Sequence, residues 1–267
     1  MYKKTFISLN PKISVKFCGS GELVIFLHGI GGNKNNWDQN LPEVSKNYLC
    51  VAWDARGYGE SDDYKGPLKF KDVIEDLKKV MLHFNKLNAH IVGLSMGGQI
   101  ACLFYEKYPA LVKSLILCDT HFGLSNLTKN EIKKFISSRK DPLIKGKEPK
   151  DIAKNVAETL IGNKLNKFAL NKLIESISVL HKKSYLKTID ASFSKTHAHI
   201  FKTINVPTLI IVGELDRLTP IKMAKKISSL IKKSELAIIP DAGHLTNIEK
   251  PKIFNKILFN FLKKLTL

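Results

Sequence analysis

The chain has 267 residues, of which 44% are hydrophobic and 25% charged, a composition typical of a folded globular protein of one or two domains. An excess of 43 Lys and Arg over 24 Asp and Glu gives a formal net charge of +19, which raises the question of a polyanionic partner. Only Arg56, Arg139 and Arg217 are arginines, and neither a nucleic-acid-binding motif nor a membrane-length apolar run occurs, so we expect neither kind of partner.

Eight short β-type runs recur along the chain. The predicted strands are Thr5–Leu9, Ile13–Phe17, Leu23–Leu27, Leu49–Trp53, His90–Leu94, Leu115–Cys118, Leu209–Val212 and Leu236–Ile239. From the third run onward the apolar blocks alternate with helical patterns at about 68–86, 97–108, 220–232 and 250–265. This alternation predicts an α/β fold with an eight-stranded, mostly parallel sheet flanked by helices.

Residues 122–200 interrupt this alternation. They contain amphipathic, lysine-rich patterns with 15 Lys, one Arg and seven acidic residues, and no strand-like block. We therefore predict a helical cap at 122–200, inserted into a core formed by 1–121 and 201–267. About half of the excess positive charge falls in this segment. Two interpretations stay open: a basic cap that attracts anionic substrates, or a surface that is simply rich in lysine.

The pattern Gly-Leu-Ser-Met-Gly at Gly93–Gly97 lies between a predicted strand and a predicted helix. Such a G-x-S-x-G turn needs its glycines because the backbone folds sharply, and it presents Ser95 at the carboxyl edge of the sheet. A serine hydroxyl needs a base and an orienting carboxylate. Asp216 and His244 follow in that order, each in a loop after a predicted strand, so we predict the catalytic residues Ser95, Asp216 and His244.

Two other carboxylates compete for the acid position. Glu214 lies two residues from Asp216, and Asp119 follows another strand at the same predicted edge. The chain order and the strand-end placement favour Asp216. His121 also follows that strand, so we consider it either a pocket residue or an ordinary loop histidine.

An acyl-transfer site also needs two N–H donors for the oxyanion. We predict the backbone N–H of Met96, at the start of the helix after Ser95, as one donor. The glycine-rich turn at His28–Gly32 supplies the other, with Ile30 as the best candidate. His28 and Gly29 are further candidates for the pocket. The turn lacks the glycine spacing of nucleotide-binding loops, so we expect no nucleotide.

Taken together, His28-Gly29, the Asp54–Ser61 stretch, the Ser95 turn, Gly213–Asp216 and Gly243-His244 resemble the α/β-hydrolase superfamily over nearly the whole chain. In that superfamily the resemblance implies a structural role for Asp54–Ser61. The chain is most similar to 3-oxoadipate enol-lactonases and related small carboxylesterases, on the stretches Leu115–Thr120, Ile204–Val212 and Leu236–His244. C–C bond hydrolases and cofactor-free haloperoxidase- or perhydrolase-like esterases share these motifs.

We therefore expect a serine hydrolase of a small carboxylic ester or lactone that forms an acyl-enzyme on Ser95 and needs no metal or cofactor. The partner expected is a small-molecule substrate, and the oligomeric state is left open. A ligand receptor on the same fold is the non-enzymatic alternative. The N-terminus has no apolar leader with a cleavage site, so a cytoplasmic location is the default expectation.

Overall fold

One eight-stranded sheet forms the centre of the fold. The computed structural model describes residues 2–7, 10–121, 128–192 and 198–265. Its strands are β1 (Lys3–Ile7), β2 (Ile13–Cys18), β3 (Glu22–Leu27), β4 (Tyr48–Trp53), β5 (Ala89–Leu94), β6 (Val112–Cys118), β7 (Thr208–Gly213) and β8 (Ser234–Ile239).

Helices connect and cover these strands. They are α1 (Leu41–Val44), α2 (Phe70–His83), α3 (Met96–Lys107), α4 (Lys129–Ile144), α5 (Pro149–Leu160), α6 (Lys167–Ser178), α7 (Lys182–Ser192), α8 (Ala198–Phe201), α9 (Ile221–Leu230), α10 (Thr246–Glu249) and α11 (Pro251–Lys264). Short 3-10 turns lie at Lys34–Trp37 and Pro109–Leu111. Within the four described ranges, none of the helices combines the length and apolar character that crossing a membrane requires.

The strand order is β1-β2-β4-β3-β5-β6-β7-β8. Strand β2 pairs antiparallel with β1 and β4, whereas all other neighbours are parallel. Parallel strands are stable only when both faces are covered, and nearly every residue of β3, β5, β6 and β7 is buried. The predicted mostly parallel α/β sheet with flanking helices is confirmed.

The predicted elements match the structure with bounds that differ by a few residues. Strand β6 begins at Val112 rather than Leu115, because the polar Lys113 and Ser114 hide the start of the strand in the sequence pattern. The first strand was expected to continue to Leu9, which, with Ser8, lies outside the described residues. Helices α1 and α10 are too short to give a helical period, and the sequence did not predict them.

Helices α4 to α7 fill most of the segment that the sequence assigned to a cap. Helix α5 packs against α6, and α4 contacts both α5 and α7. The ends of the predicted cap at 122–127 and 193–197 lie outside the described residues. The division into a core and a separate cap at 122 and 200 therefore stays a prediction.

A buried ion pair holds the loop that follows β4. The Lys34 ammonium contacts the Asp54 carboxylate and lies 2.7 Å from Glu60 Oε2. The Asp54 carboxylate also accepts hydrogen bonds from the backbone N–H groups of Lys34 and Glu60, at 2.7 and 2.9 Å. The Lys34 and Asp54 side chains are 2% and 0% exposed, so water compensates neither charge. The expected structural role of this loop agrees with these contacts.

We predict that Lys34→Met lowers the free energy of unfolding by about 3–5 kcal/mol, because Asp54 would keep a buried charge without a cation. Lys4 is the matched control, since it pairs with the same Glu60 at 3.2 Å but is 54% exposed. Lys4→Met should cost only a small fraction of that free energy. Urea unfolding of both variants measures the difference, and equal losses would contradict the prediction.

Candidate active site

Ser95 occupies a strained turn between β5 and α3. Its φ of 53° and ψ of −113° lie in a region that non-glycine residues rarely adopt. A Cβ atom on Gly97 would lie 2.3 Å from the Leu27 carbonyl oxygen, and one on Gly93 would lie 2.3 Å from that of Gly97. Both positions therefore require glycine. The turn puts Ser95 at the carboxyl edge of the sheet and at the N-terminus of α3.

The structure brings Ser95, His244 and Asp216 together in one hydrogen-bonded chain. Ser95 Oγ lies 3.0 Å from His244 Nε2, and His244 Nδ1 lies 2.9 Å from Asp216 Oδ2. The three residues follow β5, β8 and β7, and none is more than 8% exposed. Because the carboxylate accepts a hydrogen bond from Nδ1, Nε2 is left to accept one from the Ser95 hydroxyl. A base in this position can take the serine proton.

The surroundings of Asp216 favour its ionised form. Its Oδ1 accepts hydrogen bonds from the backbone N–H groups of Leu218 and Thr219, at 2.8 and 2.9 Å, and Oδ2 accepts one from the Thr219 hydroxyl at 2.5 Å. Burial by itself would raise the pKa of Asp216, but the His244 charge and these hydrogen bonds hold it below its usual value. Burial also disfavours the charged imidazole, yet Asp216 outweighs that effect and raises the pKa of His244.

The two competing carboxylates have other partners. Asp119 Oδ1 accepts a hydrogen bond from the Gly213 N–H at 2.9 Å, and its Oδ2 accepts one from the Thr246 hydroxyl at 2.6 Å. Burial, together with the nearby Asp216 charge, raises the pKa of Asp119 well above its usual value. Glu214 is exposed and accepts a hydrogen bond from the Asp241 N–H at 3.1 Å. Asp216 is thus the carboxylate that contacts the imidazole.

The predicted oxyanion donors both lie beside Ser95. Met96 is the first residue of α3, so its N–H has no acceptor within the helix. In the glycine-rich turn, the Gly32 N–H donates to the Gly29 carbonyl at 3.0 Å. The Ile30 N–H takes no part in this hydrogen bond. Ile30 lines the same cavity as Ser95. The role of the two N–H groups as an oxyanion hole stays a prediction.

The three pocket candidates take different positions. Gly29 packs directly against Ser95, since a Cβ atom on it would lie 3.1 Å from Ser95 Cβ. His121 is buried and lines a cavity next to Ser95. His28 Nε2 instead accepts a hydrogen bond from the Ala55 N–H at 3.0 Å, and Nδ1 donates to the Gly29 carbonyl at 2.9 Å. Because His28 is absent from the described linings of the two cavities beside Ser95, its geometry favours holding the loop over contacting a substrate.

Two cavities share Ile30, Ser95, Leu160 and His244 in their walls. Helices α4, α5 and α7 supply much of the wall of the larger one, through Phe135, Arg139, Val156, Leu160 and Tyr185. The smaller one lies against the glycine-rich turn and against α6. The helical segment after β6 therefore forms much of the space in front of Ser95.

Sequence reasoning did not identify Arg139, Tyr185 or Glu249 as site residues. Glu249 accepts hydrogen bonds from the N–H groups on either side of His244, those of Gly243 at 3.0 Å and Leu245 at 3.4 Å. No spacing pattern predicts this contact, nor the burial of Tyr185 in the cavity wall. Arg139 could have been singled out by residue type, because only three of the 43 basic residues are arginines.

Among the residues described, no group of three or more His, Cys, Asp or Glu side chains is placed to hold a metal ion. The expectation that the protein needs no metal or cofactor stays a prediction.

Fold and sequence together define the class of this protein. The chain belongs to the α/β-hydrolase fold family, which it matches over residues 22–251, so the resemblance found in the sequence motifs is confirmed. It is 30% identical over 257 residues to the AB hydrolase superfamily protein YisY from Bacillus subtilis, an alignment that covers 92% of this chain and 94% of that protein. It is 27% identical over 270 residues to the 2-hydroxy-6-oxononadienedioate/2-hydroxy-6-oxononatrienedioate hydrolase of Escherichia coli, covering 95% and 91%.

Two solved structures share the fold at lower sequence identity. An esterase from Exiguobacterium antarcticum superposes with a TM-score of 0.88 at 23% identity, covering 98% of this chain and 100% of the esterase. The enol-lactonase from Burkholderia xenovorans LB400 superposes with a TM-score of 0.87 at 19% identity, covering 97% and 100%. At this level of sequence identity, the two comparisons show a shared fold.

Proposed function

We propose that this protein is a serine hydrolase that cleaves a small carboxylic ester or lactone, in the manner of an enol-lactonase. The observation that carries the proposal is the chain of hydrogen bonds from Ser95 through His244 to Asp216, of which Ser95 and His244 line both cavities. The esterase and enol-lactonase among the structures of the same fold support this choice of chemistry.

In the proposed reaction, Ser95 Oγ attacks the carbonyl carbon while His244 Nε2 takes the hydroxyl proton. The resulting oxyanion accepts hydrogen bonds from the Ile30 and Met96 N–H groups. His244 then returns the proton to the leaving oxygen as the C–O bond breaks, which leaves an acyl group on Ser95. A water molecule, deprotonated by His244, attacks this acyl group. The bond to Ser95 Oγ then breaks as His244 returns the proton to Oγ, and the acid is released. Asp216 keeps the imidazole in the required tautomer and stabilises its charged form.

A C–C bond hydrolase is the second candidate. The Escherichia coli relative supports it, because that protein's name describes a hydrolase of a dioate. The same Ser95, His244 and Asp216 would serve both reactions, so only the substrate distinguishes them. Turnover of an enol-lactone without turnover of a vinylogous diketone favours the lactonase, and the reverse result favours the C–C hydrolase.

We further propose that residues 122–200 act as a cap that selects the substrate. The proposal is supported by the cavity wall, to which α4, α5 and α7 contribute aromatic, aliphatic and cationic side chains. Because this segment also carries about half of the excess positive charge, an anionic ester is the favoured substrate class.

Replacing Ser95 with Ala should lower kcat for an activated ester such as 4-nitrophenyl acetate by about 10⁴- to 10⁶-fold, because the nucleophile is lost. Ser229→Ala is the matched control, since that hydroxyl is exposed and donates only to the Lys226 carbonyl at 2.9 Å. A fluorophosphonate should label wild type and not Ser95→Ala. Wild type with neither labelling nor ester turnover would instead be a ligand receptor.

Asp216→Asn should reduce kcat by about 10⁴-fold, because an amide at this position favours the wrong imidazole tautomer. Asp119→Asn should reduce kcat much less, because Asp119 contacts Gly213 and Thr246 rather than the imidazole. Steady-state kinetics on folded protein compare the two variants. A larger loss of kcat in Asp119→Asn than in Asp216→Asn would indicate that Asp119 is the catalytic carboxylate.

The pH profile of kcat/KM for a neutral ester should show an acid limb. His244 acts as a base only when neutral, and Asp216 raises its pKa, so activity is present above that pKa and lost as the pH falls through it. The midpoint should lie above the usual histidine value of about 6.5. A midpoint at or below that value in a pH titration of initial rates would contradict the assignment.

A further inference from the structure

Arg139 is a buried cation in the wall of the proposed active site. It lies on α4, is 5% exposed, and lines the larger cavity together with Ser95 and His244. Of the described residues that line this cavity, Arg139 is the one with a permanent charge, since the others are apolar, hydroxyl-bearing or histidine side chains. The Arg139 charge also acts to lower the pKa of His244, so it lies close enough to act on the proposed base.

The partners of this guanidinium are all neutral. Its Nη1 donates to the Phe135 carbonyl at 3.3 Å and to Ser138 Oγ at 3.0 Å, and its Nη2 donates to Thr159 Oγ1 at 3.1 Å. The Tyr185 hydroxyl is a further hydrogen-bond partner. The guanidinium carbon lies 3.8 Å from the centre of the Phe135 ring. All Asp and Glu side chains of the chain fall within the described residues, and none of them forms an ion pair with Arg139.

Arg56 is a useful comparison, because it is a partly buried arginine outside the proposed active site. Its Nε lies 2.7 Å from Asp76 Oδ2 and its Nη2 lies 2.8 Å from Asp76 Oδ1, a bidentate ion pair. The Arg56 side chain is 12% exposed. Arg139 is more deeply buried and yet forms no ion pair, so no carboxylate of the protein neutralises its charge.

A buried charge without a counter-ion is unfavourable, because water no longer solvates it. Burial accordingly lowers the pKa of Arg139, although Tyr185 opposes this effect. An arginine keeps its charge in such a place, and its planar fork matches a carboxylate with two parallel hydrogen bonds. An anion that pairs with this guanidinium would have to come from outside the chain.

We propose that Arg139 binds a free carboxylate of the substrate, so that the natural substrate is an ester or lactone that also carries a carboxylate. This inference rests on the proposed hydrolase function and adds the substrate class and the residue that determines it. The carboxylated part of the substrate occupies the larger cavity. The remainder occupies the smaller one, whose described lining holds no Lys, Arg, Asp or Glu.

Arg139 acts by direct contact, which separates it from the lysines on the surface of the same segment. Lys133 lies on the same helix and is exposed, so Lys133→Gln removes an equal charge without touching the cavity. Salt screens exposed charges strongly and buried pairs weakly. The preference for a carboxylate should therefore persist at high salt and should depend on Arg139 but not on Lys133.

Binding to Ser95→Ala protein tests the proposal independently of turnover. Isothermal titration compares the monomethyl esters of succinate, glutarate and adipate with their dimethyl esters. We expect at least one monomethyl ester to bind about 10- to 100-fold more tightly than its dimethyl counterpart, the range for a charge-assisted hydrogen-bonded pair. Adding Arg139→Gln should abolish this preference, and adding Lys133→Gln should retain it. Equal binding of the two ester types, or no binding of any monomethyl ester, overturns the proposal.

Kinetics on the otherwise wild-type chain give the second readout. The ratio of kcat/KM for 4-nitrophenyl hydrogen adipate to that for 4-nitrophenyl methyl adipate should fall about 10- to 100-fold in Arg139→Gln. Arg139→Lys should restore part of the ratio, because it keeps the charge but not the planar fork. A purely structural arginine would lower both rates together and leave the ratio unchanged, which would refute the proposal. Loss of all ester turnover with intact carboxylate binding would refute the hydrolase function alone.

Discussion

The site depends on the backbone of Ser95, which is held at φ 53° between a buried strand and a helix. Such a conformation costs about 1–3 kcal/mol and persists only where the surroundings fix it. Here the Ser95 N–H donates to the Cys118 carbonyl at 2.8 Å, and the Thr120 hydroxyl donates to the Ser95 carbonyl at 2.6 Å. Two glycines allow the helix to approach the sheet closely. The strand order then puts the loops carrying Asp216 and His244 at the same edge.

Several ionisable groups share this edge, and burial makes their mutual interactions strong. Asp216 is stabilised as an anion by His244 and by the N-terminal turn before α9, whereas Asp119 lies deeper and has its pKa raised. Arg139 adds a positive charge that opposes protonation of His244. A carboxylate bound at Arg139 would offset that charge, so the substrate itself would make His244 a stronger base. In the proposed mechanism, recognition of the substrate and basicity of the imidazole would therefore be electrostatically linked.

The helical segment also contacts the loops that carry the site. The Leu160 carbonyl at the end of α5 accepts a hydrogen bond from the His244 N–H at 2.8 Å. Ser176 on α6 donates to the Gly31 carbonyl at 2.9 Å, within the glycine-rich turn. Glu249 joins Gly162, just after α5, to the histidine loop. Residues that shape the cavity thus help to fix the backbone around the proposed base and oxyanion donors.

The sequence by itself determined the α/β sheet, because apolar blocks and helical periods are local patterns. It also determined the positions of Ser95, Asp216 and His244, since a strand-to-helix glycine turn and two strand-end loops each have a local signature. Those patterns could not choose between Asp216 and Asp119 by contact, because both carboxylates reach the same edge. In the structure it is Asp216 that hydrogen-bonds to His244 Nδ1.

Only the tertiary structure decided what surrounds the serine. Arg139 and Glu249 are far from Ser95 in the chain. Folding buries both of them, and it gives Glu249 a hydrogen bond from the backbone N–H next to His244. The net charge of +19 gave no indication that Arg139, among the described residues, lines the larger cavity. Composition counts charges, whereas burial of a particular charge depends on how the helices pack. Here α4 packs against α5 and α7, and Arg139 on α4 is buried.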